Sequence, residues 1–198
     1  FLLYFIILPL RSKRSAKAYQ AIWTKDGSPL RMLTQTLTDK LQQQTTHLVT
    51  YGMRYGKPSL HQALDALKHC DEITVLPLYP QYASSSSGSA IEAVFDYFKN
   101  KSSIPTLHII RDFYQHPAFI KAESLQIKPY LKQAFDHILL SYHGLPTTHL
   151  HDIGCENICN NACPNPDNNN SNCYRAQCFE TSRQLAEALN LKTHQYTT

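Results

Sequence analysis

The chain has 198 residues, 42% of them hydrophobic and 17% charged, with 12 Tyr, 8 Phe and 1 Trp. That is enough apolar mass for one ordinary domain or two small ones, and the aromatic content excludes a disordered chain. Six Gly and 11 Pro exclude a collagen-like or low-complexity composition.

The net charge of +4 is unevenly spread: residues 1–60 hold nine Lys/Arg against two Asp/Glu, a net of +7, and the remainder carries −3. A basic first third can attract an acidic ligand or an anionic lipid surface. The cations form no dense block and no RNA- or DNA-reading motif accompanies them, so nucleic acid is not an expected partner.

The first ten residues, FLLYFIILPL, are the longest apolar run. A membrane-spanning helix needs about 20 apolar residues, so this run cannot span alone. A signal peptide carries its positive charge before the apolar core, whereas Arg11, Lys13, Arg14 and Lys17 follow it here. A core helix cut at its start and a surface contact with a membrane are the two readings. Opening on Phe1 and closing on the polar tail at Thr198, the chain reads as a fragment cut at both ends.

From Pro58 the hydrophobic period alternates. Leu60, Ala63, Leu64 and Leu67 share one helical face, and Glu72–Pro80 reads as a buried strand ending in turn residues. Ile91, Val94, Phe95 and Phe98 form a helical stripe within Ser89–Asn100. Thr106–Asp112 is a strand, Pro117 starts a helix running to about Phe135, His137–Tyr142 is a strand, and Arg175–Leu191 is a final helix. Its apolar positions are Ala176, Phe179, Leu185, Ala186 and Leu189.

This βαβα order predicts an α/β fold with parallel strands flanked by helices. Residues 100–105 are the expected linker between a first lobe, 1–104, and a second, 105–198. Ligands in such folds sit beyond the carboxyl ends of strands. That directs attention to the loop Tyr79–Ser89 and to the loop beginning at His143.

His143 follows the strand LLSY and precedes Gly144, which lets the backbone turn and leaves the imidazole projecting. A neutral imidazole accepts a proton near pH 7 or ligates a divalent metal. The plain alternative is a histidine that caps a strand end. The serines of Ser84–Ser89 precede a helix N-terminus, either as a generic anion site or as an N-capping turn. They lack the glycine spacing and the lysine of a phosphate loop.

Cys155, Cys159, Cys163, Cys173 and Cys178 fall in one loop-like stretch, 155–178, spaced C-x3-C-x3-C-x9-C-x4-C. The segment PNPDNNNSN between them has no side chain able to build a core, so something else must order it. Disulfides need an oxidising compartment. Structural zinc usually takes tighter cysteine pairs or Cys/His mixtures, for which His149 and His151 are at hand. An iron–sulfur cluster takes four thiolates from an irregular loop. All three readings stand on spacing alone. Cys70, closing an apolar helix, reads as a buried structural thiol. Asn169-Asn170-Ser171 matches the glycosylation pattern, which carries meaning only in a secreted chain.

Five segments then occur in a telling order: IILPLRSKRSAKAYQAIWTKDGSPL, MRYGKPS, LPLYPQYASSSSGSA, LLSYHGLP and CYRAQCFETSRQLAEALNL. Together they resemble the ferrochelatases, which insert ferrous iron into a porphyrin. The resemblance covers essentially the whole chain and implies a chelatase-type fold: two Rossmann-like lobes with the porphyrin between them, truncated here at both ends.

It implies that His143 is the iron-site histidine and the acceptor of pyrrole protons, with Fe²⁺ as substrate. Arg54 and Tyr55 of MRYG, Ser28 of GSPL and Tyr82 of PQY would line the porphyrin pocket. Arg11 and Arg14 would meet its propionates. Motifs resembling NLGTP and SFQSRxGRxxW, the latter bearing a partner glutamate, do not occur in these 198 residues, so the fragment is expected to be inactive alone.

The cysteine stretch is similar to the insert of those bacterial members that hold a [2Fe–2S] cluster. Four of the five cysteines would be its ligands, Cys173 and Cys178 foremost. Protoporphyrin IX is the expected porphyrin and protohaem the product. The expected location is the cytoplasm, with peripheral membrane association. A non-catalytic tetrapyrrole-binding or iron–sulfur-sensing paralogue is the alternative, told apart by whether the gene continues into the glutamate motif.

Overall fold

The computed structural model describes residues 16–17, 19–25, 27–151, 153, 155, 163–167 and 170–198. Arg11, Arg14, Cys159, Asn169 and the apolar run 1–10 lie outside the described residues. The contacts divide the chain into two compact units, Phe1–Cys70 and Asp71–Thr198.

In the first unit, helix α1 (Pro29–Gln42) starts at a proline, whose fixed φ and missing N–H suit the first turn. Thr34, Thr36 and Thr38 turn their hydroxyls back onto the carbonyls four residues earlier, at 2.8–2.9 Å. None of the helix's residues is buried. Leu30, Leu33, Leu37 and Leu41, spaced to share one face, are all about half exposed or more. Helix α2 (Leu60–Ala66) opens with a reciprocal capping box between Ser59 and Gln62 and buries Ala63 and Leu64. The face predicted from Leu60, Ala63, Leu64 and Leu67 is therefore inward at its centre and half-buried at its ends. Gly52 sits under this helix, and a Cβ there would stand 2.6 Å from the Leu60 Cα, so only glycine fits. Cys70 is half-buried rather than buried.

In the second unit, β1 (Glu72–Val75) and β2 (Thr106–Ile109) pair in parallel, Glu72 opposite Thr106 and Val75 opposite Ile109. A π-helical turn, Ser84–Gly88, and helix α3 (Ser89–Phe98) make the crossover. The two strands lie on either side of the predicted lobe boundary at 104/105, and the compact units part instead at Cys70/Asp71. The physical reason is that a cut at 104/105 would sever a strand from its hydrogen-bonded partner. The stripe of α3 is rotated from the predicted one: Val94, Tyr97 and Phe98 are buried, whereas Phe95 is 52% exposed.

Helix α4 (Pro117–Ile127) stops well before Phe135. Pro129 cannot continue the ladder, and a 3-10 turn, Tyr130–Lys132, follows. Strand β3 (Ile138–Leu139) pairs in parallel with β4 (Tyr196–Thr197) near the end of the chain. The Leu140 N–H donating to the Thr197 carbonyl prolongs that pairing by one step. Between them lie a single turn, α5 (Thr148–His151), the cysteine stretch and helix α6 (Tyr174–Ala188).

Helix α6 is the centre of this unit. Ala176, Leu185 and Ala186 are buried as predicted, and Phe179 is half-buried. Gln177, Thr181 and Ser182 are also buried, each at 2% exposure or less. A buried polar stripe must find hydrogen-bond partners, and these are the loops that leave the strands.

Candidate functional site

Three strand-end loops are tied to α6 by its polar side chains. After β1, the Tyr82 N–H donates to Gln177 Oε1 at 2.7 Å, and Gln81 Nε2 donates to Thr181 Oγ1 at 2.9 Å. After β2, the Thr181 hydroxyl lies 2.9 Å from the Tyr114 carbonyl. After β3, the Tyr142 hydroxyl shares a 3.0 Å hydrogen bond with Ser182 Oγ, and the Tyr174 hydroxyl donates to the His143 carbonyl at 3.0 Å. The carboxyl ends of β1, β2 and β3 thus converge on one helix, and both loops singled out from sequence are among them.

His143 itself is exposed. A Cβ added at Gly144 would meet nothing within 4 Å, so the loop opens into free space there. Both flanking phenols are driven toward their neutral forms. Burial pushes Tyr142 up to about 12, against a smaller opposing effect of its Ser182 hydrogen bond. Burial also raises Tyr174, reinforced by the neighbouring Cys178 thiol. At neutral pH each hydroxyl therefore keeps the proton it needs as a donor.

Tyr82 is half-buried, with its ring 5.0 Å below the Arg111 guanidinium and its hydroxyl over Gly88, where a Cβ would stand 3.0 Å away. Arg111 in turn pairs with Asp112 at 2.7 Å and hydrogen-bonds Asn172. The serine segment is a π-helical turn continuous with α3, and the Ser87 hydroxyl is buried with no hydrogen-bond partner.

In the first unit, Arg54 and Tyr55 stand exposed on the loop between Met53 and Ser59, the guanidinium 4.9 Å over the ring. The loop is closed by the Met53 N–H donating to the Pro58 carbonyl at 2.8 Å, and Gly56 takes a φ of +100° at its tip. Ser28 follows a turn in which Thr24 and Gly27 exchange hydrogen bonds of 3.0 and 3.1 Å. It sits at the N-cap of α1 but makes no side-chain capping bond.

The cysteines gather at the start of α6. Cys163, Cys173, Leu150 and Ala176 form one buried apolar group, with Cys155 against it. Arg175 Nη1 donates to Cys163 Sγ at 3.0 Å, a contact that favours thiolate. Cys178 is buried on the same helix, and burial pushes its thiol up to about 12. The neighbouring Tyr174 hydroxyl opposes that rise, whereas the Cys173 and Cys163 thiols add to it. The buried Nδ1 of His149, beside Leu150, has no hydrogen-bond partner. This donor set, soft sulfur with one orphaned imidazole nitrogen, suits thiolate-bound metal. Among the described residues, no three of these groups stand close enough together to hold a metal ion.

Sequence reasoning missed Gln177, Thr181, Ser182 and Tyr174. Their signal is faint: hydroxyl and amide side chains where an apolar stripe would normally continue.

Parallel strands crossed by helices, with an exposed imidazole just past a strand's end, define an α/β protein, a class in which ligands bind beyond the carboxyl ends of the strands. The chain belongs to the ferrochelatase family, whose pattern it matches over residues 1–198. It is 50% identical over 199 residues to the ferrochelatase of Legionella pneumophila (strain Corby), covering all of this chain and 60% of that protein. To the ferrochelatase of Coxiella burnetii (strain CbuG_Q212) it is 43% identical over 203 residues, covering 98% of this chain and 56% of that protein. The chain thus spans less than two thirds of the length of these relatives.

Proposed function

We propose that this chain is the greater part of an enzyme that inserts Fe²⁺ into a porphyrin, protoporphyrin IX, yielding protohaem. The observation that carries the proposal is His143: an exposed imidazole just past β3, on a segment hydrogen-bonded to α6 through Tyr142 and Tyr174. Membership of the ferrochelatase family supports it.

Insertion has two costs. Two pyrrole N–H protons must leave, and the iron must shed water. In this reading the His143 imidazole accepts the pyrrole protons one at a time and passes each to solvent, to which it is exposed, so that its nitrogen is free again when the iron arrives at the ring face. Arg54, with Tyr55 against it, holds an acidic edge group of the porphyrin by a charge-assisted contact. Ser28, whose hydroxyl is not spent on capping α1, and Tyr82 would each contribute to porphyrin binding, and Arg11 and Arg14 would meet propionates. Fixing the ring's orientation converts binding energy into rate.

In the same reading, four of the five cysteines hold a [2Fe–2S] cluster. Cys173 and Cys178 would be foremost among them, with two of Cys155, Cys159 and Cys163, and the packing of Cys155 against the buried Cys163 and Cys173 supports a shared site. Such a cluster orders the loop around it, since thiolate binding and folding are coupled. The protein would work in the cytoplasm. No described helix is long and apolar enough to cross a membrane. Peripheral association with anionic lipid is supported by the exposed leucine face of α1 and by the +7 charge of residues 1–60.

The test is iron insertion by the full-length protein with His143→Ala beside it. A strand-end position with an exposed side chain contributes little packing, so the variant should fold, bind porphyrin and fail to insert iron. Near-wild-type turnover with normal porphyrin affinity would remove His143 from the mechanism.

A further inference from the structure

The loop that carries His143 has little else to hold it. Among the described residues, no backbone–backbone hydrogen bond is made by residues 141–145; the neighbouring ones are from the Leu140 N–H to Thr197 and from the His149 N–H to Pro146. Gly144 faces open space, and Ser141, His143 and Gly144 are exposed. Among the described residues, the hydrogen bonds that fasten the segment between the end of the β3 pairing and Pro146 come from α6. Ser182 holds the Tyr142 side chain, and the Tyr174 hydroxyl holds the backbone of His143 itself.

We propose that Tyr174 is a positioning residue for His143: its hydroxyl, bonded to the His143 carbonyl, sets where the imidazole stands, and Tyr142 is the second anchor. The inference rests on the reading of His143 as the proton acceptor. A phenol has one proton to donate, and here it goes to the His143 carbonyl. Because Tyr174 sits at the first turn of a helix whose next turns bury Gln177, Thr181 and Ser182, its own position is fixed by the core rather than by the loop. An anchor on a rigid element is what a displaced catalytic group needs, since small misplacements cost large factors in rate.

The test is Tyr174→Phe in the full-length protein, read in two ways. In steady-state iron insertion, kcat should fall by about tenfold while the porphyrin KM stays within about twofold, because only the placement of the base is disturbed. In hydrogen exchange, the Leu140 and His149 amides, whose hydrogen bonds flank the loop on either side, should exchange about tenfold faster, with those of α6 unchanged. Should Tyr174→Phe not fold, Tyr142→Phe removes the other anchor and should move both measurements the same way. Unchanged kcat together with unchanged exchange at Leu140 and His149 would overturn the proposal. So would a loss confined to KM, which would make Tyr174 a substrate contact. His143→Ala in the same assay separates the two readings. If it turns over normally the base assignment fails, and the exchange measurement still decides whether Tyr174 holds the loop.

Discussion

Replacing Gln177 by leucine isolates what the polar stripe of α6 contributes. Gln177 is fully buried, its Oε1 accepting from the Tyr82 N–H at 2.7 Å and its Nε2 donating to the Ser171 carbonyl at 2.7 Å. Leucine is close to it in volume, so no large cavity opens. What is lost is two short hydrogen bonds, each leaving a half-buried backbone group without its partner. At about 1–2 kcal/mol for each such orphaned group, the variant should lose about 2–4 kcal/mol.

Urea unfolding of the full-length protein measures this as a lower midpoint at constant slope. Gln177→Glu separates the two bonds. It keeps an acceptor for Tyr82 but sets a carboxylate against the Ser171 carbonyl, so it should be destabilised at neutral pH and partly recover as the acid is protonated. A loss under about 0.5 kcal/mol for Gln177→Leu would refute the view that this amide ties the β1 loop to the helix.

Arg54→Ala should weaken porphyrin binding by about 1–3 kcal/mol through loss of a charge-assisted contact, and an unchanged fluorescence titration would place Arg54 outside the pocket. Anaerobically purified protein should be brown, with about two irons and two sulfides per chain, and Cys173→Ser should bleach it; colourless protein with about one zinc and no sulfide would replace the cluster with a zinc site. Tyr142 carries a pH signature. Its pKa is raised from 10.0 to about 12 in the folded state, so its contribution to stability is complete below pH 10 and lost as pH rises toward 12. Alkaline unfolding of Tyr142→Phe should therefore show a shallower fall over that interval than the parent, and parallel curves would exclude Tyr142 as a source.

Much of the fold was legible because hydrophobic period reports backbone geometry directly. The strands at 72 and 106, the helices starting at Ser89 and Pro117, and the long final helix follow from runs whose burial requires that spacing. The ends were less legible. Strands read as six to nine residues pair over two to four, because pairing stops where a partner strand stops, and a partner is not written in the run itself. Helix α4 ended early at Pro129, a local signal that the apolar pattern overrode. The same limit explains the boundary at 104/105: Asn100–Pro105 has linker composition, but only the pairing of β1 with β2 shows that it lies inside one unit.

For the site, sequence alone determined the residue types and their order: an imidazole after a strand, an arginine–tyrosine pair in a glycine-bounded loop, five clustered cysteines. Those are properties of neighbours along the chain. Tertiary structure alone decided which distant groups meet. Gln177 reaches Tyr82 across 95 positions and Tyr174 reaches His143 across 31. It also gathered Cys163 and Cys173 into one apolar group with Leu150 and Ala176, with Cys155 packed against it. Hydrogen bonds act over about 3 Å, so no spacing in sequence can encode them until the chain has folded the two ends together.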